Sequence, residues 1–206
     1  MITSSAKSLL GAMAVAAILL GNVVRAGVES GRPAPDFSVT DIAGKTHRLA
    51  DFRGRIVVLE WLNPGCPFVV RHYRSGNMQS TQQAAAAAGA VWLQVNSGAM
   101  GDLDPVKSAE WQKKQGVTVT AYIRDQTGKL GRVFDAKTSP HLFVIGADGR
   151  LAYQGAIDDQ PNASVTNTTS AHNYVKAALA ALRDGKPVET TSTPPYGCGV
   201  KYGAEG

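Results

Sequence analysis

The chain has 206 residues, a formal net charge of +5 and 44% hydrophobic residues, enough for one domain with a sizeable core and too ordinary a mixture for a disordered or fibrous protein. Its basic residues are scattered rather than striped, which argues against nucleic acid as a partner. Two cysteines, Cys66 and Cys198, allow one intramolecular disulfide at most.

Residues 1–26 read as a signal peptide. Lys7 supplies a positive start, Leu9 to Leu20 is an apolar run, and Val24-Arg25-Ala26 places small residues where a signal peptidase reads. The run is too short for a comfortable membrane span. Cleavage would remove Lys7, Arg25 and no acid, so the net charge falls from +5 to +3. The expectation is an exported protein without a stable membrane span, periplasmic in a bacterium and otherwise in the secretory pathway. Such compartments let disulfides persist.

Pro33-Ala34-Pro35-Asp36-Phe37 is extended, because residues before proline avoid the helical region. Phe37–Thr40 and Thr46–Leu49 read as paired short strands around a turn at Asp41–Lys45. Arg55 to Leu62 is a buried strand, broken by Pro64-Gly65. A helix is expected from about Val69 to Ala88, interrupted or weakened near Ser75-Gly76-Asn77 and ended by Gly89. Ala90–Val95 is a second apolar strand. Asp104-Pro105 opens a helix to Gln115, with Asp as cap and Pro in the first turn. Val117–Ile123 is a third strand, followed by a short helix to Phe134. His141–Ile145 and Leu151–Ala156 form a hairpin through Asp148-Gly149. Ser170–Leu182 is a helix by its apolar spacing. Pro187–Pro195 is an extended tail delivering Tyr196-Gly197-Cys198-Gly199. Alternating strands and helices argue for a mainly parallel sheet covered on both faces.

Cys66 follows the broken strand and precedes the helix. A thiol there faces the free N–H groups and the positive end of the helix dipole, which favour its anionic, reactive form. The alternative is a small buried apolar residue.

These segments resemble the thioredoxin-fold redoxin family, in its peroxiredoxin-like (AhpC/TSA-related) thiol–disulfide oxidoreductase branch. The residues that carry the resemblance are Pro35-Asp36-Phe37, Glu60 to Pro67, Thr138-Ser139-Pro140, Asp148-Gly149, Tyr153 to Asp159 and Gly197 to Tyr202. It implies an α/β thioredoxin-like fold: a central mixed sheet flanked by helices, with an N-terminal β extension. The domain would span residues 27–186, and a tail over 187–206 would carry Cys198. Cys66 falls on the first cysteine of the thioredoxin Cys-x-x-Cys motif. Val69 holds the second position, so no local dithiol can form. Glu60, six residues before Cys66, matches a buried acid that moves protons to and from the cysteines. Pro140 matches a cis proline that presents the backbone of Ser139 to a thiol substrate. Asn63 and Pro67 would border the same substrate position.

True peroxiredoxins place their cysteine in a Pro-x-x-x-Thr/Ser-x-x-Cys motif. Here Leu59 and Asn63 occupy the two preceding positions, so a peroxidase would be slow. Cys198 is the candidate resolving thiol; in a binding module, Cys66–Cys198 would instead be a permanent staple. A third reading gives copper to Cys66 and His72, although His72 and Tyr73 read better as cover for the helix surface. No cofactor is implied beyond the thiols. The expected partner is a thiol- or disulfide-containing protein or small molecule, with the electron donor unspecified.

Overall fold

The computed structural model describes Met1 and residues 28–98, 102–164, 168 and 170–202. The expected signal peptide, Met1 aside, lies outside the described residues. Strands β1 (Ser38–Thr40) and β2 (Thr46–Arg48) pair antiparallel as expected, and a single 3-10 turn (Leu49–Phe52) leads into β3 (Val57–Trp61). Every residue of β3 is buried. Its alternate side chains point into two separate cores, as the period-two pleat requires. Leu59 and Trp61 pack with Phe134 and Phe143 on one face, and Val58 packs with Val69, Tyr73 and Trp92 on the other.

The helix expected after Cys66 is interrupted where Ser75-Gly76-Asn77 suggested, giving α1 (Pro67–Arg74) and α2 (Asn77–Ala87). Gly76 sits between them at φ 74°, a left-handed conformation that glycine adopts without Cβ strain and that no helix continues through. β4 (Val91–Ser97) follows, then α3 (Pro105–Gln115), whose capping Asp104 accepts the backbone N–H of Lys107 at 2.9 Å. β5 (Ala121–Asp125) starts later than expected. Val117 and Val119 pack against the helix-side core rather than extending the ladder, and pairing with β4 begins only at Ala121. After α4 (Lys129–Val133) come β6 (Thr138–Ser139), β7 (His141–Ile145) and β8 (Leu151–Gly155). The last helix, α5 (Tyr174–Arg183), begins after the expected Ser170, because Asn173 caps it by accepting from Lys176 N at 2.8 Å. A short β9 (Cys198–Gly199) closes the described chain.

The five-stranded sheet runs β5-β4-β3-β7-β8. β3, β4 and β5 are parallel, while β7 and β8 are antiparallel to their neighbours. The sheet is therefore mixed. The strong βαβ alternation of the first half describes only half of it, and the Asp148-Gly149 hairpin reverses the rest. This is the thioredoxin-like layout that the motifs imply, with β1 and β2 as its N-terminal extension.

Candidate active site

The turn after β3 is built by Asn63. Its side chain accepts the N–H of Gly65 and its carbonyl accepts the N–H of Cys66, each at 2.9 Å. Cys66 then caps α1, with Pro67 as the first helical residue, where a missing N–H costs nothing. The result presses the Cys66 sulfur inward. The residue is 2% exposed, and its thiol donates to the carbonyl oxygen of Ser139 at 2.9 Å. The Ser139–Pro140 peptide bond is cis. Ser139 and Pro140 are buried, Asn63 is half-buried and Pro67 is exposed on the rim.

The tail completes the site. Thr193 joins its backbone to Gln154 and its hydroxyl to the N–H of Ala156. Five residues later, β9 pairs antiparallel with β6, and Cys198 stands opposite Ser139. The two sulfurs lie 2.7 Å apart as free thiols. Gly197 makes this approach feasible: at φ 142°, a Cβ there would meet the Ser139 carbonyl oxygen at 2.1 Å. Beyond β9, the Tyr202 hydroxyl donates to the Ala136 carbonyl at 2.6 Å, and Arg132 lies 4.6 Å above its ring. Burial, reinforced by the adjacent Cys66, pushes the Cys198 thiol up to about 11.

Glu60 is on the α1 face of β3, wholly buried. Its carboxyl accepts from Tyr73 Oη at 2.7 Å, Trp92 Nε1 at 2.8 Å, Gln82 Nε2 at 3.2 Å and Gln94 Nε2 at 3.3 Å. Burial holds its pKa above the ordinary carboxylate value, and these four donors pull it part of the way back. Burial and the facing carboxylate push the Tyr73 phenol up in turn. Glu60 is thus tied through Tyr73 to α1, the helix that Cys66 caps. Its hydrogen-bond partners among the described residues are these four side chains, and neither cysteine is one of them.

His72 and Tyr73 do not cover the helix surface. Both are buried, because α1 is wedged between the sheet and the tail and has two inward sides. His72 joins a cluster that the sequence reading missed. Asn77 Nδ2 donates to His72 Nδ1 at 3.1 Å and to Asp158 Oδ2 at 2.9 Å. Tyr196 Oη donates to Asp158 Oδ1 and lies 3.2 Å from His72 Nε2. The Arg71 guanidinium is 3.6 Å from Asp158 Oδ2 and donates to the Gln160 carbonyl at 2.6 Å. Burial, with Arg71 beside it, lowers His72 to about 3. A neutral ring that accepts at Nδ1 must carry its proton on Nε2, so His72 donates to Tyr196. Both ring nitrogens are thereby engaged away from Cys66. The sequence had marked its members separately, His72 after Cys66, Asp158 in the segment after the hairpin and Tyr196 two residues before the tail cysteine, with nothing to join them. Among the described residues, no group of three or more His, Cys, Asp or Glu side chains is arranged to hold a metal ion.

Residues 30–154 match the AhpC/TSA family. The chain belongs to that family. A search of curated protein sequences found no match to this AhpC/TSA chain. Among solved structures, it is similar to a hypothetical protein of Sinorhizobium meliloti, at 25% identity and TM-score 0.73, over 86% of this chain and 97% of the other. An uncharacterised conserved protein of Geobacillus kaustophilus matches at 24% identity and TM-score 0.75, over 86% and 94%. A secreted Mycobacterium tuberculosis disulfide oxidoreductase homologous to E. coli DsbE shares the fold at 21% identity and TM-score 0.51, over 71% and 96%. This AhpC/TSA chain is therefore a thioredoxin-fold redoxin. No helix among its described residues is long and apolar enough to cross a membrane.

Proposed function

We propose that this chain is an exported thiol–disulfide oxidoreductase whose working pair is Cys66 and Cys198. One observation carries the reading: the two sulfurs lie 2.7 Å apart, one on a helix N-cap and the other on a strand paired to Ser139. In the reducing direction, the Cys66 thiolate attacks one sulfur of a substrate disulfide. A mixed disulfide forms and the other substrate sulfur leaves as thiolate. Cys198 then attacks the Cys66 sulfur. The Cys66–Cys198 bond forms, the remaining substrate sulfur departs, and the Cys198 proton passes to a departing thiolate. That transfer is required because Cys198 holds its proton up to about 11. Two electrons have moved to the substrate, and an external thiol returns them. The reverse sequence oxidises a partner dithiol.

Ser139 and Pro140 in this reading present backbone to the thiol partner, Asn63 and Pro67 frame the opening, and Glu60 is a proton reserve reached through α1. Family membership supports the chemistry, as does the fold shared with a protein described as a secreted disulfide oxidoreductase. The apolar run Leu9–Leu20 supports export.

A second reading has an observation in its favour. The tail is held at Thr193 and Tyr202 independently of sulfur, as a structural strap would be. A permanent bond across that loop would stabilise by roughly 4–5 kcal/mol in the chain-entropy model, leaving a binding module. Titration of the protein in glutathione buffers, with linkage read by alkylation and mass spectrometry, separates the two. A reversible bond between about −120 and −270 mV supports the oxidoreductase, whereas one below about −300 mV supports the staple. Cys66→Ser abolishes exchange. Cys198→Ser accumulates mixed disulfides on Cys66, and full activity in Cys66→Ser would overturn the mechanism.

A further inference from the structure

The redox pair raises a problem that its geometry also answers. Cys66 is 2% exposed, yet it must meet the sulfur of another molecule. On one side of it lies the tail: the Cys198 sulfur is 2.7 Å from its own, and β9 occupies the edge of β6 where a partner's backbone would lie. Between the Thr193 and Val200 contacts, the tail has few side chains with which to grip the body. Gly197 and Gly199 have none, and Cys198 offers only its thiol. Tyr196 is the polar anchor of this stretch. Its hydroxyl donates to the fully buried Asp158 and meets His72 Nε2 at 3.2 Å and Arg71 Nη1 at 3.5 Å. Its ring lies 5.8 Å from that of Phe68. Phe68, Arg71 and His72 all belong to α1, the helix that Cys66 caps. Tyr196 therefore fixes the tail to the same rigid element that carries the other sulfur.

We propose that Tyr196, held by Arg71, His72 and Asp158, is a positioning residue: it latches Cys198 against Cys66 and shuts Cys66 from solvent, so that external thiols and disulfides reach Cys66 only when this latch opens. The inference rests on the proposed redox pair for its purpose, but the opening itself is measurable without any turnover. Release is local. Thr193 and Tyr202 remain as moorings, and only the span between them lifts. The bond-forming geometry then returns whenever the hydroxyl regains Asp158.

Tyr196→Phe keeps the ring and removes only the hydroxyl. In the fully reduced protein, iodoacetamide labelling of Cys66 is followed by mass spectrometry, alongside amide exchange. Labelling accelerates about tenfold, the size of one hydrogen bond to a charged group. Faster exchange is confined to the tail, at Val200, whose N–H donates to the Lys137 carbonyl at 3.0 Å, while β3 and β4 stay protected. An unchanged labelling rate overturns the latch. So does acceleration that comes with faster exchange across β3 and β4, since the variant would then have loosened the whole fold. The wild-type protein supplies a check that needs no variant: the slowing of Cys66 labelling relative to a free thiol and the protection of the Val200 amide must agree in size, and disagreement counts against a single opening. A latch that behaves this way in a protein without exchange activity would leave the inference standing and remove the proposed function.

Discussion

Helix α1 has two buried polar networks, one built by Tyr73 and the other by Arg71 and His72. They are made differently. Around Glu60, every partner comes from the folded body: Tyr73 from α1, Gln82 from α2, and Trp92 and Gln94 from β4. Around Asp158, a bond comes from the tail, through Tyr196. The first network can open only by unfolding the core. The second loses a member whenever the tail lifts, without disturbing the sheet. Adjacent residues of one short helix thus serve a permanent structure and a removable one.

The contrast is broken most directly at Glu60. Glu60→Ala leaves the buried Tyr73 hydroxyl and Trp92 Nε1 without an acceptor, while Gln82 and Gln94 still donate to Tyr73 Oη at 3.0 and 2.7 Å, and is expected to cost about 4 kcal/mol, read from urea unfolding as a fall of the whole cooperative transition. Accelerated Cys66 labelling without loss of global stability would show that the Glu60 network also belongs to the tail. Acid titration gives the next effect. The buried His72 and His141 are both lowered to about 3, below the ordinary value near 6.5. As pH falls from about 6.5 toward 3, the unfolded chain binds protons that the folded chain refuses, so stability present above that window is lost within it. Each group contributes a slope of about 1.4 kcal/mol per pH unit at most. His141→Gln should flatten the curve of stability against pH across this range. The raised Glu60 works in the opposite sense, with its contribution largest at low pH and lost as pH rises through its folded value.

Gly197→Ala sharpens the other side. Its Cβ would stand 2.1 Å from the Ser139 carbonyl oxygen, backbone that cannot swing aside. The β6–β9 pairing must shift, at about 1–3 kcal/mol. Cys66–Cys198 should become easier to reduce while the body melts as before, and an unaltered redox midpoint would show that the tail docks without this pairing. Smallest is Tyr73→Phe, which removes one donor to Glu60 and should cost about 1–2 kcal/mol of global stability, with the redox midpoint unmoved.

Much of the frame was legible where a residue has one local use. Pro64-Gly65-Cys66-Pro67 marks a strand end and a helix start, Asp104-Pro105 marks another, and Asp148-Gly149 turns a hairpin. Glu60 was marked by its offset from Cys66. The inward turn of His72 was not legible. Helical periodicity assigns one buried stripe, and α1 has two because the tail packs on its second side. Asp158 and Tyr196 lie 38 residues apart in the chain, and nothing local pairs them. The late start of β5 and of α5 was hidden for the opposite reason: Val117 and Val119, and Ser170 onward, satisfy a pattern locally but lose to tertiary packing and to the Asn173 cap.

β6 is only two residues long, and its partner strand comes from the tail. An unpaired strand edge is a template on which another chain can add itself. The strand that delivers the second sulfur therefore also closes an adhesive edge, and the molecule has a reason to keep its tail seated apart from chemistry. With the tail lifted, the bared backbone beside Cys66 would invite strand exchange between copies. Self-association should then climb with protein concentration, so the seated tail also guards against that association.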